Sequence, residues 1–146
     1  MTGSDCRSLQ DFLDDQLLMS LATSDKFSLW CATVYYLSDN DLNLYFISGN
    51  HTDHVKNILK NHKVAFSITD KNHSEDVLSV QARGFCERVG ESRLSKTLEK
   101  WNTKFPEKKF CIKDLNNNGA SMYKIILTRL KYLNTKLPEK VIEFYF

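Results

Sequence analysis

Nowhere in the 146 residues does an apolar run approach the roughly 20 residues that a membrane-spanning helix needs. The opening "MTGSDCRSLQ" lacks the basic, apolar and small-residue order of a secretory signal, so the expected location is the cytoplasm. Net charge is almost absent: 20 Lys and Arg against 18 Asp and Glu leave +2, too weak a field to draw the whole molecule onto nucleic acid or a membrane. The four cysteines, Cys6, Cys31, Cys86 and Cys111, are scattered with no C-x-x-C spacing. That argues against a thiolate metal site, and a chain this long does not need disulfide staples, so reduced thiols are expected. G-x-G-x-x-G and G-x-x-x-x-G-K are both missing, which excludes nucleotide binding by either of those phosphate loops. No internal repeat or low-complexity tract interrupts the chain.

What the sequence does contain is enough apolar material for one core. Hydrophobic residues make up 42% and aromatics 12%, which predicts a single domain over residues 1–146. From Ser8, the spacing of Leu9, Phe12, Leu13 and Leu17 predicts an amphipathic helix. "SLATS" and "SLWCATVYYLSD" read as strands because β-branched and aromatic residues dominate them, with Asp25-Lys26 as the turn between. Asp39-Asn40-Asp41 turns the chain into a strand from Leu42 to Ser48. A helix is expected from Thr52 to Asn61 with Val55, Ile58 and Leu59 on its apolar side. "KVAFSIT" and "VLSVQARGFCERV" are further strands, the second with Gly84 as a bend or bulge. Leu94, Leu98, Trp101 and Phe105 share one face of a helix from Ser92 to Lys104, which Pro106 helps to end. "DLNNNGAS" reads as a loop, "MYKIILTRLKYL" as a last long strand, and the aromatic tail "VIEFYF" should be covered by a neighbour. Strands joined by short turns, with helices at connections and ends, predict a mainly β, α+β chain: an antiparallel barrel or sheet, not a doubly wound fold.

The segment "LYFISGNHTDHVKNIL" carries the most chemistry. It runs from a strand into a helix, and a helix N-terminus presents unpaired N–H groups and about half a positive charge to an anion. Thr52 is a good N-cap, Ser48 adds a hydroxyl, and His54 can supply a third donor. The same residues also fit a plainer reading, in which Thr52 caps its own helix and the histidines face solvent. His51 and His54 lie three apart, with His62 and His73 further on, but no carboxylate or thiolate at matching spacing joins them in a metal site. The seven basic residues from Arg93 to Lys113 read as a solvated face, because Trp101 and Phe105 between them lie on the apolar stripe; this argues against nucleic acid as a partner. Cys31 is expected to be a buried and inert strand thiol.

The order "LATSD…WCATVYYLSDNDLNLYFISGNHTDHVKNILKNHKVAFSI…VQARGFCERV", over residues 20 to 105, resembles the flavin-binding split barrels related to pyridoxamine phosphate oxidase, and in particular short uncharacterised bacterial members. The resemblance implies a homodimer of six-stranded antiparallel split barrels with flanking helices, holding FMN at the subunit interface and exchanging electrons with a small-molecule substrate or donor. It implies that Trp30, Cys31, Ala32 and Thr33 run along the isoalloxazine, and that Ile47 and Ser48 meet the ring and ribityl chain. Thr52, Asp53 and His54 match a Ser-Arg-Lys triplet that grips the phosphate, and Gln81 or Ser79 matches a polar contact on the long strand. Where oxidase-like members carry Arg and Lys on the second strand, this chain has Cys31 and Tyr35 or Tyr36; Asp53 replaces the Arg of the triplet. FMN is therefore expected to bind loosely, and more weakly as pH rises through the His54 pKa. The last strand lacks the Arg and His cluster that takes a phosphorylated pyridine, which argues against vitamin B6 oxidation. No side chain qualifies as a catalytic acid or nucleophile, and a flavin-less split-barrel dimer serving as a binding or structural protein is the alternative.

Overall fold

The computed structural model describes residues 3–72 and 75–146, so His73 lies outside it. Helix α1 (Gly3–Asp15) leads into strands β1 (Leu18–Ser24), β2 (Leu29–Tyr35), β3 (Leu37–Ser38) and β4 (Leu44–Gly49). Helix α2 (Asp53–Lys60) precedes β5 (Lys63–Thr69) and β6 (Leu78–Arg88). Helices α3 (Glu91–Lys104) and α4 (Ile112–Asn117) then lead to the long β7 (Ala120–Asn134) and the short β8 (Val141–Tyr145). Among the described residues no helix is long and apolar enough to cross a membrane.

All strand pairings are antiparallel, in the order β2-β1-β5-β6-β7-β4-β3, with β8 added beside β7. The two ends of that order are neighbours in sequence. One continuous run pairs first with β1 as β2 and then, after Tyr36 alone, with β4 as β3. The sheet therefore curls until a single stretch of chain belongs to both its edges, which is a split barrel. Tyr36 pins this switch: its ring is fully buried and its hydroxyl donates to the Leu13 carbonyl at the end of α1. The antiparallel split barrel and its flanking helices agree with expectation, but among the described residues the strands number eight, not six. The additional two are β3, which Tyr36 divides from β2 within the expected strand "SLWCATVYYLSD", and the tail strand β8, which was not expected as a strand.

Inside the barrel, α1 contributes Leu9, Phe12 and Leu13, and α2 contributes Val55 and Ile58, to a core shared with Met19, Leu21, Phe46 and Phe66. Outside it, Leu98 and Trp101 of α3, Phe105 at its C-cap and Leu115 of α4 pack on Leu37 and Met122 as a second layer. Burying each such side chain contributes about 1.5–3 kcal/mol, enough to dock a helix whose other face carries lysines. The expected loop over "DLNNNGAS" is a correction: its first part is helical, because Asp114 accepts the Cys111 amide in a capping box and Leu115 is buried. Gly84 does mark a bulge, where the β6–β7 register shifts between Arg83 and Gly84. A Cβ there would sit 2.1 Å from the Ile126 carbonyl oxygen, so only glycine fits. The aromatic tail is partly covered by this chain itself, since Ile142 and Phe144 enter the core while Val141, Tyr145 and Phe146 stay exposed.

Candidate cofactor site

At the end of β4 the chain turns through Gly49 to Thr52, whose extended backbone caps α2. The Thr52 hydroxyl donates to the Gly49 carbonyl at 2.9 Å and accepts the Val55 amide at 3.4 Å. The amides of Asp53 and His54 open the helix and, like those of any first turn, have no intrahelical acceptor. His54 folds back so that Nε2 lies 2.8 Å from Ser48 Oγ and 3.4 Å from Thr52 Oγ1, with its ring beside Phe46. At 8% exposure the imidazole is buried, and this desolvation lowers its pKa against the opposing pull of the Asp53 carboxylate. Burial thus disfavours the charged imidazole, which moves the expected fall in affinity through the His54 pKa to lower pH. Asp53 points to solvent, and His51 is exposed. The Tyr123 hydroxyl donates to Asn50 Oδ1 at 3.0 Å, bracing the turn against β7.

The remaining expected site residues divide by the strand pleat. Trp30 and Ala32 pair with Thr23 and Leu21, both buried, and so face the barrel's inner side; Trp30 stays half-exposed at the rim. Cys31 and Thr33 pair with Ala22 and Ser20 on the outer face. Cys31 is exposed, which corrects the expected buried thiol: among the described residues nothing covers that face of β2. Gln81 also points outward, opposite Ser67 and Lys131, and Ser79 shares its face two residues away. Ile47 faces away from Ser48, against the core of α3 and α4. One chain therefore brings Ser48, Thr52 and His54 together near the rim and sets Cys31, Thr33 and Gln81 on the opposite side of the sheet.

Sequence reasoning missed the outer neighbours Ser20, Ser67, Arg83 and Arg129. Alternation alone marks them as outward-facing, but their union in two cross-strand rows depends on register. One row runs Thr33, Ser20, Ser67, Gln81, Lys131 and Glu143; the other runs Cys31, Ala22, Ala65, Arg83, Arg129 and Tyr145. The lysine-rich stretch agrees with expectation in that Trp101 and Phe105 are core while Lys96, Lys100 and Lys108 are exposed. Lys104 differs, lying over the Tyr36 ring at 4.3 Å.

A family model described as pyridoxamine 5'-phosphate oxidase matches residues 7–122. Proteins of Yersinia pseudotuberculosis and Yersinia pestis named UPF0306 proteins are 23% identical over 128 residues, covering 86% of this chain and 82% of theirs. Among solved structures, Campylobacter jejuni ChuZ superposes with a TM-score of 0.80 at 13% identity over 99% of this chain and 61% of its own. A heme binding protein from Mycobacterium smegmatis gives 0.79 at 12% identity, over 99% of this chain and 59% of its own. A FAD-binding protein from Mesorhizobium loti gives 0.67 at 14% identity, over 89% and 92%. At such identities these likenesses establish the fold.

Proposed function

The chain belongs to the pyridoxamine 5'-phosphate oxidase family, and on that premise we propose that it binds FMN as a cytoplasmic homodimer and passes electrons between the flavin and a small molecule. The observation that carries this reading is the turn into α2, where two amides, two hydroxyls and a buried imidazole gather at a helix N-terminus. The residues fit a phosphate held by dipole and hydrogen bonds, not by charge. Ser48, Thr52 and His54 would hold that end, with the Thr52 hydroxyl turning from Gly49 to the ligand. Trp30 and Ala32 border the rim beside it. Cys31, Thr33 and Gln81 cannot join them within one chain, so a site using both groups needs a second copy, whose outer face supplies the other wall. When bound, FMN supplies the redox chemistry, and the protein contributes position and exclusion of water.

Titration with FMN, followed by quenching of flavin fluorescence, tests the reading, with native mass spectrometry reporting subunit number. Binding should be weak and stronger than that of riboflavin. Because burial lowers the His54 pKa, affinity should stay flat from pH 7 to 9 and rise only as acid protonates the imidazole beside the bound anion. A protein that ignores FMN at every pH defeats the reading. It would favour the flavin-less binding or structural dimer, a reading supported by the way Thr52 already bonds Gly49 and His54 already bonds Ser48.

A further inference from the structure

The outer face of the sheet carries a feature that the α2 turn does not explain. A groove of about 550 Å³ runs over Ala22, Leu29, Ala65 and Phe85, and meets a cleft of about 260 Å³ bordered by Gln81, Arg83, Arg129 and Lys131; Ala65 and Arg83 line both. The floor is made of small side chains, so a flat body can approach the sheet closely. Its far wall is cationic. Arg83 lies directly opposite Arg129 across the β6–β7 pair, an arrangement that destabilises a sheet when nothing lies between the charges. Glu143 is shared by Arg129 at 2.9 Å and Lys131 at 3.5 Å, so one carboxylate serves two cations. Arg83 has no ion-pair partner among the described residues, and the Nε of Arg129 is buried with no hydrogen-bond acceptor among them.

We propose that this trough binds a small amphiphilic anion, its flat apolar body on Ala22 and Ala65 and its phosphate or carboxylate between the guanidinium groups of Arg83 and Arg129. The bulge at Gly84 is what aims the wall. The extra residue is Thr128 of β7, which brings Arg129 opposite Arg83, while unbroken alternation along β6 sets Gln81, Arg83 and Phe85 on one outward side. An anion placed there relieves the opposed charges and gains charge-assisted, fork-shaped hydrogen bonds that lysine could not match. This seat lies across the sheet from the α2 turn of the same chain and shares Gln81 with the outer wall of the flavin site proposed above. In a dimer of the kind proposed above, a molecule in the trough would lie under the second copy.

The test uses the full chain and 1-naphthyl phosphate, with 1-naphthol and inorganic phosphate as its two halves, followed by naphthyl fluorescence and calorimetry. Naphthyl phosphate should bind saturably and more tightly than either half, and more weakly as sodium chloride is raised. Arg83→Gln should weaken it about tenfold, the effect of losing one charge-assisted hydrogen bond, while raising the melting temperature. Lys131→Gln should weaken it less than Arg83→Gln does. The proposal is overturned if naphthyl phosphate does not saturate, or if Thr52→Ala abolishes binding that Arg83→Gln leaves intact. It is equally overturned if Ala65→Arg breaks a dimer without altering naphthyl phosphate binding, for the face would then be a subunit contact only.

Discussion

The turn into α2 and the outer wall of β6 and β7 both suit an anion, and they do so by opposite means. At the turn the clustered hydroxyls and the imidazole are already satisfied: Thr52 bonds Gly49 and Val55, and His54 bonds Ser48. On the wall the groups are formally charged and poorly matched, with Arg83 opposite Arg129 and one glutamate between two cations. A satisfied cluster stabilises the free protein and gains little from a ligand, whereas an unbalanced one costs stability until a ligand arrives. The sequence draws attention to the first and hides the second.

The most disruptive way to break this comparison is to remove the bulge that aims the wall. Gly84→Ala puts a methyl against the Ile126 carbonyl and should destabilise the fold by about 3 kcal/mol or more, read from urea denaturation. A midpoint unchanged from the parent would show that the β6–β7 register adjusts freely.

A third treatment of charge sharpens the contrast. Burial lowers the pKa of Lys104 to about 8, while Asp14 and Asp15 act to raise it. Its ammonium rests on the Tyr36 ring and has no hydrogen-bond acceptor among the described residues. Unfolded, this amine stays protonated up to the ordinary lysine range, so the folded state is penalised below pH 8 and relieved as pH rises from there to 10.5. Lys104→Met should therefore stabilise the protein at pH 7 by about 1–2 kcal/mol, after discounting for partial exposure, and flatten that rise. Thermal melts across pH 7 to 10 check both.

Smaller effects separate the two anion seats directly. Thr52→Ala should cost about 1 kcal/mol through the lost helix cap, with the wall unaffected. Arg83→Gln should do the reverse at the smallest scale, stabilising the free chain by about 0.5 kcal/mol as the opposed pair is relieved. If the two variants shifted the melting temperature in the same direction, the distinction between a satisfied and an unbalanced cluster would fail.

Much of the architecture was legible because it rests on local patterns. Leu94, Leu98, Trp101 and Phe105 announce a helix docked on one face, and three of the four are fully buried in the layer it forms. Gly84 announced a bulge, and Thr52 a cap. The helix α4 was missed because its stability comes from the capping box at Cys111 and Asp114 and from one buried leucine, too few residues to set up a period. Cys31 was misplaced because an alternating strand does not say which of its faces the rest of the chain covers. The state of His54 escaped for a related reason: its burial is created by Ser48 and Phe46, brought over it by the path of β4.

By itself, the sequence determined the longer strands and helices, the family resemblance, and the turn at Thr52, since these depend on side-chain period, backbone preference and residues close along the chain. Tertiary structure alone decided that Tyr36 would be the point where one strand changes partners, that burial would lower the His54 pKa, and that Arg83 would confront Arg129. Each of those is a matter of register or burial. Both follow from how distant segments come together, and a shift of one residue in pairing would have turned every one of these side chains to the other face.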